Sequence, residues 1–227
     1  VNPILAAVAL VVVAGTVVAV AARDARVSIL GLALVLIGSP VMAEPLPAPL
    51  GLAARFVGAI LCAYLLWIVA RDRGRVRGPS PATGGSRIGW PAETLVAAAA
   101  AVVGYAAHGL GAPALGSPLA SAAGFAVAAL AVPAAMTGND VFRVGIGSLL
   151  LIDAALLVRT GLGGTPDQLE QLISSGLLII VTAAIATLAG SARSDGSGGF
   201  EFSVEGRRRR RGADAHRIEP RIGDLGR

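Results

Sequence analysis

Apolar residues in this chain fall into seven long blocks: 3–22, 27–43, 49–70, 91–108, 118–136, 142–160 and 166–190. Most of the charge lies between the blocks and beyond the last one. Blocks of about 20 residues suffice to cross a hydrocarbon core of roughly 30 Å as helices. Ala and Gly, with Val and Leu, dominate them, and small side chains let helix backbones approach closely in lipid. Block two is short and has Pro40 near its end, which predicts a tilted, kinked or partly inserted element. Several blocks open on a polar residue followed by Pro, as in Asn2-Pro3, Ser117-Pro118 and Thr165-Pro166. Proline is favoured at a helix start because the N–H it lacks would be orphaned there. Thr165-Pro-Asp-Gln168 fits a capping box.

The expected fold is an all-α polytopic membrane protein with about seven transmembrane helices over 1–190. A disordered Arg-rich cytoplasmic tail is expected over 191–227, where Gly, Ser and charged residues replace the apolar blocks. Arginines alternate between connections. Arg23 and Arg26 follow block one, five arginines from Arg71 to Arg87 follow block three, and Arg143 follows block five. The intervening connections hold one arginine, Arg159. The positive-inside rule then puts the N-terminus outside and the C-terminus in the cytoplasm. Block one also has a signal-peptide reading, with Ala19-Val-Ala21 as a cleavage site; the lack of a preceding basic residue and the block's length favour a retained span. No internal repeat stands out, and with none there is no pointer to a transporter built from related halves.

Composition agrees with the block pattern. Of 227 residues, 55% are hydrophobic and 15% charged. Mean hydropathy is +0.74. A soluble domain carries about 25% charge. The net charge of +5 comes from arginines at block ends and in the tail, which points away from nucleic acid and toward the lipid bilayer. Arg207, Arg208, Arg209, Arg210 and Arg211 either hold the tail near anionic lipid, at about 1 kcal/mol per charge, or act only as a topology determinant. The single cysteine, Cys62, lies in an apolar run and reads as a small core residue. Trp90, Trp67 and Tyr64 fit interfacial anchors.

No enzyme motif survives inspection, so no catalytic residue, cofactor or metal is assigned. Gly145-Ile-Gly147 lacks the third glycine and the strand–helix setting of a dinucleotide loop. His108 and His216 fall in different compartments and cannot share a haem; His108 reads as interfacial. Away from the block ends, the intramembrane ionisable set is Arg55, Asp153 and Glu170. A carboxylate at bilayer depth costs roughly 2.5–3.5 kcal/mol on insertion scales and therefore needs a partner or a function. Asp153, mid-block, is expected to be a buried protonated acid, to pair with Arg55 at similar depth, or to serve a proton pathway. Arg55 alone could snorkel outward. Glu170 and Asp167 are also explained by the positive N-terminal end of the last helix.

The stretch Arg143-Val-Gly-Ile-Gly-Ser-Leu-Leu-Leu-Ile-Asp-Ala-Ala-Leu-Leu, then Gly-Leu-Gly-Gly-Thr-Pro, then Leu169-Glu-Gln-Leu, resembles the hydrogenase-4 membrane component E family. That family is similar in turn to subunit K of NADH-quinone oxidoreductase and to the matching small membrane component of multisubunit cation/proton antiporters. The resemblance covers mainly residues 118–190. It implies a non-catalytic subunit of a bacterial proton-translocating complex, beside antiporter-like subunits, with redox centres elsewhere. Asp153 and Glu170 would be its proton-pathway acids. Aligned on Gly147, the family's glutamate falls at Ile152 or Leu149, one place or one turn from Asp153. Against this stands a standalone small transporter or a structural membrane protein. An intramembrane enzyme would need a nucleophile–base or metal set that the sequence does not offer.

Overall fold

The computed structural model describes residues 2–22, 24–76, 90–108, 115–137 and 141–194. Arg23, Arg77, Arg87 and the expected tail beyond residue 194, with Arg207 to Arg211 and His216, lie outside the described residues. The described residues form seven α-helices in order: α1 Pro3–Ala21, α2 Ala25–Gly38, α3 Pro49–Val76, α4 Trp90–Ala107, α5 Pro118–Thr137, α6 Val141–Gly163 and α7 Gln168–Ser194. The described residues include no strand. Among the described residues six helical stretches are long and apolar enough to cross a membrane. The apolar part of α4, Pro91–Ala107, is shorter, about 25 Å at 1.5 Å per residue. The chain is an all-α integral membrane protein, with large apolar side chains such as Leu10, Val102 and Ile180 left on its outer faces.

Helix ends follow local chemistry. Asn2 accepts the Ile4 N–H at 3.1 Å and Pro3 opens α1. Pro40 has no N–H to give the Leu36 carbonyl, so α2 stops at Gly38 and tightens into a 3-10 turn, Ser39–Met42. The capping-box reading of Thr165 is corrected. α7 begins at Gln168, which puts Asp167 at the cap position. The Thr165 hydroxyl instead donates to the Pro45 carbonyl at 2.8 Å, tying together the connections before α3 and α7.

The helices form two layers of three. α1, α2 and α3 pack in chain order, as do α5, α6 and α7. The layers stack with α1 on α5, α2 on α6 and α3 on α7. Internal crossings recur with one constant shift in residue number. A Cβ at Gly31 would stand 2.6 Å from the Ala19 backbone nitrogen, and one at Gly147 2.6 Å from that of Ala135. Gly38 lies against Val8 just as Ala154 lies against Gly124. The chain thus repeats a three-helix unit, which corrects the reading that it holds no repeat. The repeat is carried by small residues at crossings and by helix order. Lipid-facing positions accept any apolar residue, so side-chain identity does not preserve it. The second unit runs the same way as the first, since Arg143 at the start of α6 reaches Val20 at the end of α1 and Thr165 before α7 reaches Pro45 before α3; α4, packed on α5 and α1, joins the two units.

Candidate functional site

The most polar part of the interior lies where the two layers meet beside the break in α2. Asp153 is 0% exposed. It lies about 15 Å along α6 from Gly163 at 1.5 Å per residue. Arg55 on α3 reaches across to it, Nη2 to Oδ1, at 3.0 Å. The Ser39 hydroxyl donates to the same oxygen at 2.9 Å and accepts from Arg55 Nη2 at 3.4 Å. One carboxylate oxygen therefore joins α6, α3 and the turn after α2. α3 and α6 are not closely packed against each other, so the long arginine side chain spans the gap between them.

Local structure explains this placement. The break at Ser39-Pro40 frees a serine side chain from the regular helix surface inside the bundle. The last carbonyls of a helix carry partial negative charge, which favours a cation nearby. Arg55 thus faces two sources of negative potential, Asp153 and the end of α2. Its other nitrogen, Nη1, has no protein partner, nor does Asp153 Oδ2.

A cavity of about 30 Å³ adjoins the pair toward the α6–α7 connection. Ser39, Arg55, Thr160, Gln171 and Ser174 supply its polar wall, and Pro40, Pro47 and Pro166 border it where the connections begin. Gln171 is buried, and its Oε1 also lacks a protein partner. On the other side of Asp153, toward the start of α6, the filling is apolar, with Leu149, Leu150, Leu36 and Leu66 fully or almost fully buried.

Glu170 sits apart from this cluster. It lies in the first turn of α7, and its Oε1 is 2.6 Å from Arg159 Nε, with both side chains partly exposed. Arg159 also donates to the Gly164 carbonyl at 3.0 Å. Glu170 and Arg159 line the cavity but do not touch Asp153. The structure therefore brings Arg55 and Asp153 together and leaves Glu170 in a separate pair at the cavity's outer wall.

Other polar residues have structural partners. His108 Nε2 lies 2.8 Å from the Gly116 carbonyl, tying the end of α4 to the start of α5. Arg143 donates to the Val20 carbonyl at 3.0 Å, in the last turn of α1 where helix carbonyls are left without intrahelical donors. Arg26 stands 5.6 Å from the centre of the Trp67 ring. Cys62 is buried in the core, with the Thr182 hydroxyl of α7 as its polar neighbour. The sequence reading missed Ser39, Gln171 and Glu93. Glu93, in the first turn of α4, is buried with Oε2 unpartnered. Its signal was an acid early in block four; that of Ser39 was its place before Pro40. Gln171 carried no signal, since a polar residue near a helix start reads as solvated. Among the described residues no three His, Cys, Asp or Glu side chains gather as a metal site. No protein-family model, curated protein or solved structure matches this chain.

Proposed function

We propose that the protein is a non-catalytic integral subunit of a proton-translocating respiratory or hydrogenase-type membrane complex, in which Asp153 is the functional acid. The observation that carries this reading is the buried Arg55–Asp153 pair, held between two repeated helix layers with one carboxylate oxygen unpartnered. Ionisable residues kept inside a membrane bundle characteristically mark proton or ion paths. Transporters built from related halves place such sites at the junction of repeated units and beside broken helices, as here beside the Ser39-Pro40 break, so the repeat also favours the alternative reading of a standalone small transporter. Glu170, paired with Arg159 at the outer wall of the same cavity, is the second acid of the path. Redox centres belong to other subunits, and antiporter-like membrane proteins are the partners.

The arginine distribution supports an orientation with the N-terminus outside and the C-terminus cytoplasmic, and the proposed setting is a bacterial cell membrane. Arg26 and Arg143 lie at the end where α2 and α6 begin, opposite to the cavity. A structural role is the second reading. It is favoured by the way one oxygen of Asp153 ties three elements together.

The test couples composition with transport. The protein is purified in mild detergent and its co-purifying membrane subunits are identified. Proton uptake is then measured in vesicles carrying wild type or Asp153→Asn. Antiporter-like partners and uptake reduced at least tenfold, with assembly intact, support the proposal. A partner-free protein, or unchanged uptake with intact assembly, overturns it.

A further inference from the structure

We propose that the cavity beside Arg55 is a water-filled vestibule, open to the α6–α7 face only and closed below Asp153. This deepens the proton-path reading by naming the side from which the buried pair is reached, and it rests on that reading for its purpose. Its physical grounds are separate.

Two polar atoms on well-buried side chains border the cavity without protein partners. Arg55 Nη1 offers N–H groups and Gln171 Oε1 offers an acceptor, with the two residues 7% and 3% exposed. A buried polar group without a hydrogen bond costs about 1–3 kcal/mol. Such groups are therefore satisfied by water wherever space allows. A cavity needs roughly 10–15 Å³ to hold a water, so about 30 Å³ has room for at least one. Water is the ligand that fits, because the lining charges are already matched. Arg55 pairs with Asp153 and Arg159 with Glu170, which leaves one donor group and one acceptor rather than a net charge.

The sidedness comes from the change of lining across Asp153. On the α6–α7 side the walls carry Ser39, Thr160 and Ser174 as well as the two orphan groups. The outermost lining residues, Arg159 and Glu170, are 43% and 31% exposed, so the polar wall continues to the surface. On the other side the filling changes to Leu36, Leu66, Leu149 and Leu150, and the buried Thr182 hydroxyl beyond them already donates to the Leu178 carbonyl at 2.7 Å. Cys62, seven residues further along α3 than Arg55 and fully buried, lies about 10 Å deeper, within that apolar part.

The two faces can be told apart with a water-sized thiol reagent. Silver ion is applied to the full-length protein in right-side-out or inverted vesicles. Thiols left free are then counted with a maleimide after denaturation. Wild-type Cys62 is expected to be spared from either side. Ser174→Cys and Thr160→Cys, small changes on opposite walls, are expected to add one thiol each that silver blocks from the α6–α7 face alone, at least tenfold faster than from the other. Protection of both new thiols from both faces, or faster blocking from the arginine-rich face, overturns the vestibule. Blocking as expected together with normal proton uptake by Asp153→Asn upholds the vestibule and removes the proton-path reading. Protection with lost uptake does the reverse.

Discussion

Removing either member of the Arg55–Asp153 pair leaves a different problem behind, and the difference can be measured. Arg55→Met strands a carboxylate that is 0% exposed and has only the Ser39 hydroxyl at 2.9 Å. Asp153→Asn strands a guanidinium, but Arg55 starts only about 9 Å along α3 from Pro49, and its long stem can carry the charge outward. Breaking a buried pair by deleting one partner costs about 3–5 kcal/mol in soluble proteins. Single interhelical contacts in membrane proteins average about 0.6 kcal/mol, because the unfolded chain in lipid also finds partners. The expected costs lie between, about 2–4 kcal/mol for Arg55→Met and about 1–2 kcal/mol for Asp153→Asn. The double variant should recover at least about 1 kcal/mol relative to the sum of the singles, as coupled neighbours do. The assay is reversible unfolding in mixed micelles of increasing sodium dodecyl sulfate, followed by loss of helicity. Additive effects, or a larger cost for Asp153→Asn than for Arg55→Met, would refute the argument that a charged pair closes the junction and that only its arginine has a way out.

The remaining expectations concern packing and exposed pairs. Gly31→Ala and Gly147→Ala each put a Cβ 2.6 Å from backbone nitrogen, which cannot swing aside, so each should cost about 1–3 kcal/mol in the same micelle titration. Gly176→Ala and Gly190→Ala meet nothing within 4 Å and should be neutral or stabilising by up to about 1 kcal/mol. Glu170→Gln removes a partly exposed pair and should cost under about 1 kcal/mol, less still in high salt. Ser121→Ala deletes a 2.9 Å hydrogen bond from α5 to the Gly104 carbonyl of α4 and should cost about 0.6 kcal/mol.

Much of the fold could be read from the sequence because lipid imposes a simple rule on length and polarity. Every backbone group within the bilayer must be satisfied inside its own helix. The seven apolar blocks, the helix-opening Asn2-Pro3 and the lone acid Asp153 therefore stand out without any knowledge of neighbours. Near-equal depth also named Arg55 as a possible partner, since depth follows from counting residues along a helix. What depth cannot give is azimuth. Which faces of α3 and α6 turn toward each other depends on how all the helices pack, and only the tertiary structure decided that Arg55 meets Asp153 at 3.0 Å while Glu170 meets Arg159 instead. The repeat was hidden for a related reason. It resides in where backbones touch, at Gly31 with Ala19 and at Gly147 with Ala135, and outward-facing residues are free to change around those contacts. The sequence by itself determined that this chain belongs in a membrane and that Asp153 needs an explanation. Tertiary structure alone decided what answers that acid, because burial and partnership are set by helices far apart in the chain.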